Sequence, residues 1–256
     1  MKTYKAYLID LDGTMYRGNE RIEAAGEFVD KLAAKGIPYL FLTNNSSKKP
    51  EQISDKLEQM DIRSTPEHVF TSSMATAKYI RKQKEGARCF VIGEEGLHNA
   101  IQGEGLSISD NNCDFVVVGI DHNISYEKLS TACIAVRNGA SFISTNSDVA
   151  IPTERGLEPG NGALTSVISV STGREPTFIG KPEEIIMEQA LAVIGSSKAD
   201  TLMIGDNYHT DIRAGMDAGL DTLMVFTGVT SFADYSGLAK KPTHYVKNLY
   251  EWIERI

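Results

Sequence analysis

The sequence predicts an α/β protein: a parallel-sheet core domain with a second α/β domain inserted into it. Three observations carry that expectation. Short apolar β-type runs alternate with helical patterns along all 256 residues. The runs are close to continuously apolar, as strands covered on both faces are. The residues best suited to chemistry stand toward both ends of the chain and flank a self-contained middle.

Residues 6–10 read as the first strand and 24–35 as a helix closed by Gly36. The run 38–42 (Pro-Tyr-Leu-Phe-Leu) reads as a buried strand, 50–60 as a helix, 68–70 as a weak strand and 73–84 as a helix. A second unit starts at Arg88, with strands at 89–92, 115–118 and 141–144 and helices at 96–102 and 126–138. A Gly/Pro-rich stretch, 151–162, precedes a helix near 163–171. After Phe178-Ile179-Gly180 the first style resumes, with helices at 183–194 and 211–218 and strands at 201–204 and 222–226. A short strand at 244–246 and a helix at 249–256 end the chain. There is no repeat of solenoid period and no low-complexity tract. The core is expected over 1–79 and 180–256, and the inserted domain over 80–179.

Composition narrows the function. The chain is 41% hydrophobic and 23% charged with a formal net charge of -8, and no Lys/Arg block stands out. Nucleic acid and anionic membranes need a positive field, so neither is an expected partner. An anionic small molecule would have to be held by a local group of cations and N–H donors. Cys89, Cys113 and Cys133 form no C-x-x-C pair, which argues against disulfides and zinc and for a reducing, cytoplasmic setting. The charged N-terminus holds no signal-peptide core, and no run approaches the ~20 apolar residues of a membrane span.

Four strand-end signals carry the chemistry. The first is Asp10-Leu11-Asp12-Gly13-Thr14, directly after Ala6-Tyr7-Leu8-Ile9. Residues two apart on a strand share a face, and two carboxylates so placed repel unless a cation or a proton intervenes. Asp-Gly is also a common turn dipeptide, so the pair alone leaves both readings open. The second is Thr43-Asn44-Asn45-Ser46-Ser47 at the end of a buried strand, where open α/β sheets bind ligands. Hydroxyls and backbone N–H groups there suit an anion, although Ser46 or Ser47 also serves as an ordinary N-cap. The third is Gly180-Lys181-Pro182, whose lysine is a compact charge suited to a phosphoryl oxygen. The fourth is Gly205-Asp206-Asn207-Tyr208-His209-Thr210-Asp211. Asp206 ends a strand, Asp211 opens a helix with Thr210 as its cap, and His209 stands alone and reads as structural or solvent-exposed. Converging carboxylates without Cys or His ligands favour a hard cation such as Mg2+.

In this order, the four signals resemble the haloacid dehalogenase superfamily of aspartyl-phosphate enzymes. Thr71-Ser72-Ser73, Asn146-Ser147-Asp148 and Thr227-Gly228-Val229-Thr230 extend the resemblance to its NagD-type branch over nearly the whole chain. The resemblance implies a Rossmann-like core with an inserted α/β C2 cap. It further implies a Mg2+-dependent phosphatase acting on small phosphorylated metabolites, namely acid sugar phosphates, nucleoside monophosphates or pyridoxal phosphate, with p-nitrophenyl phosphate as a surrogate. Asp10 would be the nucleophile and Asp12 the proton donor and acceptor. Mg2+ would be held by Asp10, the Asp12 main-chain carbonyl and Asp206, supported by Asp211. Thr43, the Asn44 N–H and Lys181 would bind the phosphoryl group. Dehalogenases of the superfamily lack an acid at position 12 and its ATPases carry Thr, so Asp12 favours ester hydrolysis. Asn146, Asp148 and Glu158, with Glu154 and Arg155 nearby, are the candidates for reading the substrate. Asn146-Ser147-Asp148 departs from the commoner Asn-Pro-Asp of relatives.

Two other readings use the same residues. One is a non-enzymatic phospho-receiver, which the chain length and inserted domain argue against. The other is a phosphotransferase or mutase, which the motifs leave open. A homodimer formed through the cap is also an expectation, with 115–118 and 126–136 as candidates either for its interface or for the cap's own core.

Overall fold

The computed structural model describes residues 2–153 and 155–256. The chain forms two compact units. The first comprises Met1–Thr43, Pro50–Phe70 and Lys181–Ile256, the second Asn44–Lys49 and Thr71–Gly180.

The first unit is built on a six-stranded sheet. Its order is His244–Val246, Asp221–Val225, Thr201–Gly205, Ala6–Ile9, Tyr39–Thr43 and Val69–Thr71. Ala6–Ile9 lies centrally and runs parallel to both neighbours, with Ile9 opposite Ile204 on one side and Phe41 on the other. All four of its residues are buried, as its unbroken apolar run requires. The helix Ala25–Ala34 buries Ala25, Phe28, Val29 and Leu32. These recur at helical spacing and form the face turned to the sheet. Phe28 packs edge-on against Tyr7, with ring centroids 5.9 Å apart, and burying such a ring contributes roughly 2 kcal/mol. One core cluster runs from Tyr7, Ile9 and Phe41 through Leu202, Ile204 and Leu223 to Trp252.

The second unit has a five-stranded sheet with the order Thr177–Phe178, Ser141–Ser144, Phe115–Val118, Arg88–Ile92 and Ser107–Ile108. All its registered pairs are parallel. The helices Tyr126–Arg137 and Asn161–Thr172 pack on each other and on Phe115–Val118, closing a core of Phe90, Val116, Val118, Cys133, Val136 and Ile168. Phe115–Val118 is wholly buried inside the sheet, so it belongs to the cap's own core and offers no surface to a partner. Cys89 and Cys133 are buried and none of the three cysteines is bridged.

Two differences from the sequence reading have clear causes. The expected boundary between residues 79 and 80 falls inside the helix Ser72–Gln83, which belongs whole to the second unit. Its Ser72 and Ser73 hydroxyls donate to Asn44 O and Ser46 O at 2.8 and 2.9 Å. Its Lys78 and Arg81 hold Glu104 at 2.9 and 2.8 Å. The Gly/Pro-rich stretch contains an antiparallel hairpin, Ala150–Thr153 with Gly156–Pro159. Proline inside a run normally argues against a strand, and this ribbon carries Pro152 and Pro159. Among the described residues, no helix is long and apolar enough to cross a membrane.

Candidate active site

Three strand ends of the first unit place the candidate side chains. Asp10 follows Ala6–Ile9 and is tied to the neighbouring strand by its N–H, which donates to Ile204 O at 2.9 Å. Asp206 follows Thr201–Gly205, and Thr43 is the last residue of Tyr39–Thr43. Strand register thus sets Asp10 and Asp206 at the same edge of the sheet, where parallel α/β sheets bind ligands. The chain then turns sharply, with Leu11 O accepting from Thr14 N and Met15 N at 3.1 and 2.8 Å. Gly13 takes φ +92 in this turn, and a Cβ there would lie 2.4 Å from Asp206 Oδ2. Only glycine meets both conditions. Gly228 closes the other side, where a Cβ would lie 2.0 Å from the same oxygen.

Inside this cradle the charges do not balance. Asp10, Asp206 and Asp211 each offer a carboxylate oxygen within 4.8 Å of the others, and all three residues are buried. Lys181, 2% exposed, stands 2.5 Å from Asp10 Oδ1 and 2.8 Å from Asp211 Oδ1. It also donates to Leu42 O at 2.9 Å. Burial works against the Lys181 charge, but Asp10 and Asp211 outweigh it and raise the ammonium above its usual value. Burial and the Asp211 charge push the Asp10 carboxyl well above the ordinary range, against the pull of Lys181. The same two causes push Asp206 up to about 6, while the Val229 N–H and Lys181 draw it back. One ammonium shared by three carboxylates leaves two negative charges to be met by protons or by a divalent cation. An all-oxygen donor set of this kind suits a hard ion such as Mg2+. The residues present therefore fit that ion.

Asp12 behaves differently. It remains exposed, and its carboxylate stands outside the Asp10–Asp206–Asp211 group. The bulk of protein behind it still raises its pKa, partly offset by the Lys56 ammonium. Asp211 is embedded more deeply than a helix-opening acid would be. A π-helical turn, Tyr208–Ile212, precedes the helix Arg213–Asp217. Such wide turns occur at functional sites. Here the turn lets Asn207 N donate to Asp211 Oδ2 at 3.0 Å while Oδ1 faces Lys181. His209 is exposed.

The remaining candidates fall in the second unit. Asn44 Nδ2 donates to Asp148 Oδ2 at 3.1 Å, and Asn146 Nδ2 donates to Asn44 O at 2.9 Å. Asn44 is thereby joined to two residues about a hundred positions further along the chain. Glu158 stands on the hairpin and pairs with Arg155. Glu154 lies outside the described residues.

Sequence reasoning gave no role to several groups that the structure places at the site. Thr14 Oγ1 donates to Asp206 Oδ1 at 3.2 Å and to Asp10 Oδ2 at 3.4 Å. Val229 N donates to Asp206 Oδ2 at 2.6 Å, and Thr227 Oγ1 donates to Gly13 O at 2.6 Å. Arg17 Nε donates to Thr227 O. The Thr-Gly-Val-Thr motif was visible in the sequence, but not that it embraces Asp206.

Comparison with known proteins places the chain in a family. The family model of haloacid dehalogenase-like hydrolases matches residues 7–107, and a HAD-hydrolase-like model matches residues 178–252. The 5'-nucleotidase YutF of Bacillus subtilis is 61% identical over 256 residues, covering 100% of both chains. An acid sugar phosphatase of Staphylococcus aureus is 53% identical, covering 100% of this chain and 99% of its own. Among solved structures, a putative p-nitrophenyl phosphatase from Bacillus subtilis superposes with a TM-score of 0.92 at 60% identity, over 100% of this chain and 97% of the other. The p-nitrophenyl phosphatase from Archaeoglobus fulgidus reaches 0.94 at 31% identity over 100% of both.

Proposed function

The chain belongs to the haloacid dehalogenase-like hydrolases and is a phosphoric monoester hydrolase, and from that premise we propose that Asp10 is its nucleophile. The substrate class is small phosphorylated metabolites, with nucleoside monophosphates and acid sugar phosphates suggested by the names of the relatives. The observation that carries the reading is Asp10 itself: a buried carboxylate held at 2.5 Å by Lys181, with Asp206 and Asp211 beside it.

In the first step an Asp10 oxygen bonds to phosphorus and the bond to the leaving oxygen breaks, while Asp12 gives that oxygen a proton. The product is an aspartyl phosphate and a free alcohol. In the second, water attacks phosphorus and loses a proton to Asp12, and the Asp10–phosphorus bond breaks to release phosphate. Splitting one difficult displacement into two lowers the barrier of each. Lys181 and Thr43, with the Asn44 N–H next in the chain, bind the phosphoryl oxygens. Asp10, the Asp12 carbonyl and Asp206 would hold Mg2+, with Asp211 supporting them. That ion would supply positive charge to offset an anionic nucleophile meeting an anionic phosphate. Asn146, Asp148 and Glu158 are assigned to selection among substrates.

The test is phosphate release from p-nitrophenyl phosphate with and without Mg2+, followed by acid quench and peptide mass analysis. Phosphate covalently bound to Asp10 is the expected result. Turnover with no phosphorylated enzyme at any time would sink the nucleophile assignment.

A further inference from the structure

The first unit carries a cation that stands apart from the carboxylate group. Lys56 lies on the helix Pro50–Gln59, whose Ile53 and Leu57 are buried. Helical spacing puts Lys56 at the flank of that buried face, half-buried itself. Among the described residues it is in no ion pair. Its Nζ sits instead 4.0 Å from the centroid of the Tyr16 ring, a distance at which the ring face attracts a cation.

Tyr16 is 8% exposed, and its backbone closes the turn that carries Asp12. Gly13 N donates to Tyr16 O at 2.7 Å, and Tyr16 N donates to Leu11 O at 3.3 Å. Asp12 and Tyr16 also form a bridge pair. Ring and turn are thus one mechanical piece, and a group gripping the ring restrains the turn. The exposed Asp12 carboxylate lies outside the carboxylate group and accepts from the Gly18 N–H, so where it points depends on how the turn is seated.

We propose that Lys56 is a positioning residue: seated on the face of Tyr16, it holds the 11–16 turn so that the Asp12 carboxyl stays aimed for proton transfer. This rests on the reading of Asp12 as the proton donor. A misplacement of about 1 Å in such a group can cost on the order of 100-fold in rate.

The experiment compares kcat/KM for p-nitrophenyl phosphate and for phenethyl phosphate. This ratio reports events only up to departure of the alcohol, so the later water step does not enter. Nitrophenolate leaves without a proton, whereas an alkoxide needs one. Asp12→Asn should lower the alkyl-to-aryl ratio about 100-fold or more. Lys56→Met should lower it about tenfold, and Lys56→Arg should keep it within about threefold of the parent. Lys56→Gln repeats the neutral substitution in case the Met variant folds poorly, with thermal midpoints confirming the folded fraction. Equal losses on both substrates in the neutral variants would overturn the proposal, since lost charge steering or damaged folding acts on both alike. A ratio as low in Lys56→Arg as in Lys56→Met would also overturn it. An unchanged ratio in Asp12→Asn would remove the proton-donor reading, and the role of Lys56 with it.

Discussion

The two units end their parallel sheets in opposite ways. In the first, strand ends bring together Asp10, Asp206 and, from the next turn, Asp211, against a single lysine. In the second, the end of Ser141–Ser144 meets Asn161 and Thr165, all neutral. Asn161 Nδ2 donates to Ser144 Oγ, Thr145 Oγ1 and Asn146 O at 2.9, 3.2 and 2.8 Å. The Ser144 and Thr165 hydroxyls share a further hydrogen bond at 2.9 Å. Both groups are buried and both use the edge where such sheets present polar atoms. The difference is charge. The neutral network uses the Asn161 amide N–H groups and leaves only its Oδ1 without a partner among the described residues, whereas the surplus negative charge of the first unit stores a demand that a divalent cation can meet.

That contrast can be broken or sharpened by experiment. The largest effect is expected from Asp10→Asn, which should lower kcat about 10⁴-fold or more with the thermal midpoint retained. Residual turnover above that level, measured by phosphate release, would place the nucleophile elsewhere. Next, chelation should abolish turnover and Mg2+ restore it. Asp211→Asn should raise the Mg2+ needed for half-maximal rate about 10–100-fold, and an unchanged requirement would separate the carboxylate group from metal binding. In the second unit, Asn161→Ala should lower stability by about 1–3 kcal/mol, because it strands buried acceptors. Its kcat on p-nitrophenyl phosphate should stay within about threefold, measured beside a denaturant titration. A larger loss of activity would show that the neutral network serves the chemistry.

The smallest effect is on pH. The Asp206 carboxyl is held up to about 6, so the folded protein takes up its proton more readily than the unfolded chain. The resulting stabilisation is complete below about pH 4 and lost as pH rises through about 6. In chelator, the thermal midpoint should therefore decline gently between those values, and Asp206→Asn should flatten that part of the curve. A midpoint that rises over the same interval would contradict the sign.

Much of this was legible in the residues. Phe115–Val118 begins and ends where its apolar run does, because a strand buried on both faces needs an unbroken run. Asp10 and Asp206 were legible for a related reason: an acid directly after such a run is placed at the sheet edge by the strand itself. The hairpin at 150–159 was not, since its prolines and exposed residues carry no strand pattern. Nor were the Thr14 and Val229 contacts to Asp206, which join residues 192 and 23 positions apart.

Local chemistry by itself determined the α/β class, the strand ends and the identity of the two acids and the lysine. Those features depend on residue type and short-range periodicity, which the chain carries wherever it folds. The tertiary structure decided the rest. It seated Asp211 against Lys181, left the Asp12 carboxylate outside the group, and walled Asp206 with Gly13 and Gly228. It also placed Lys56 over Tyr16. Distances between groups remote in sequence follow from strand register and close packing, and no local pattern encodes them.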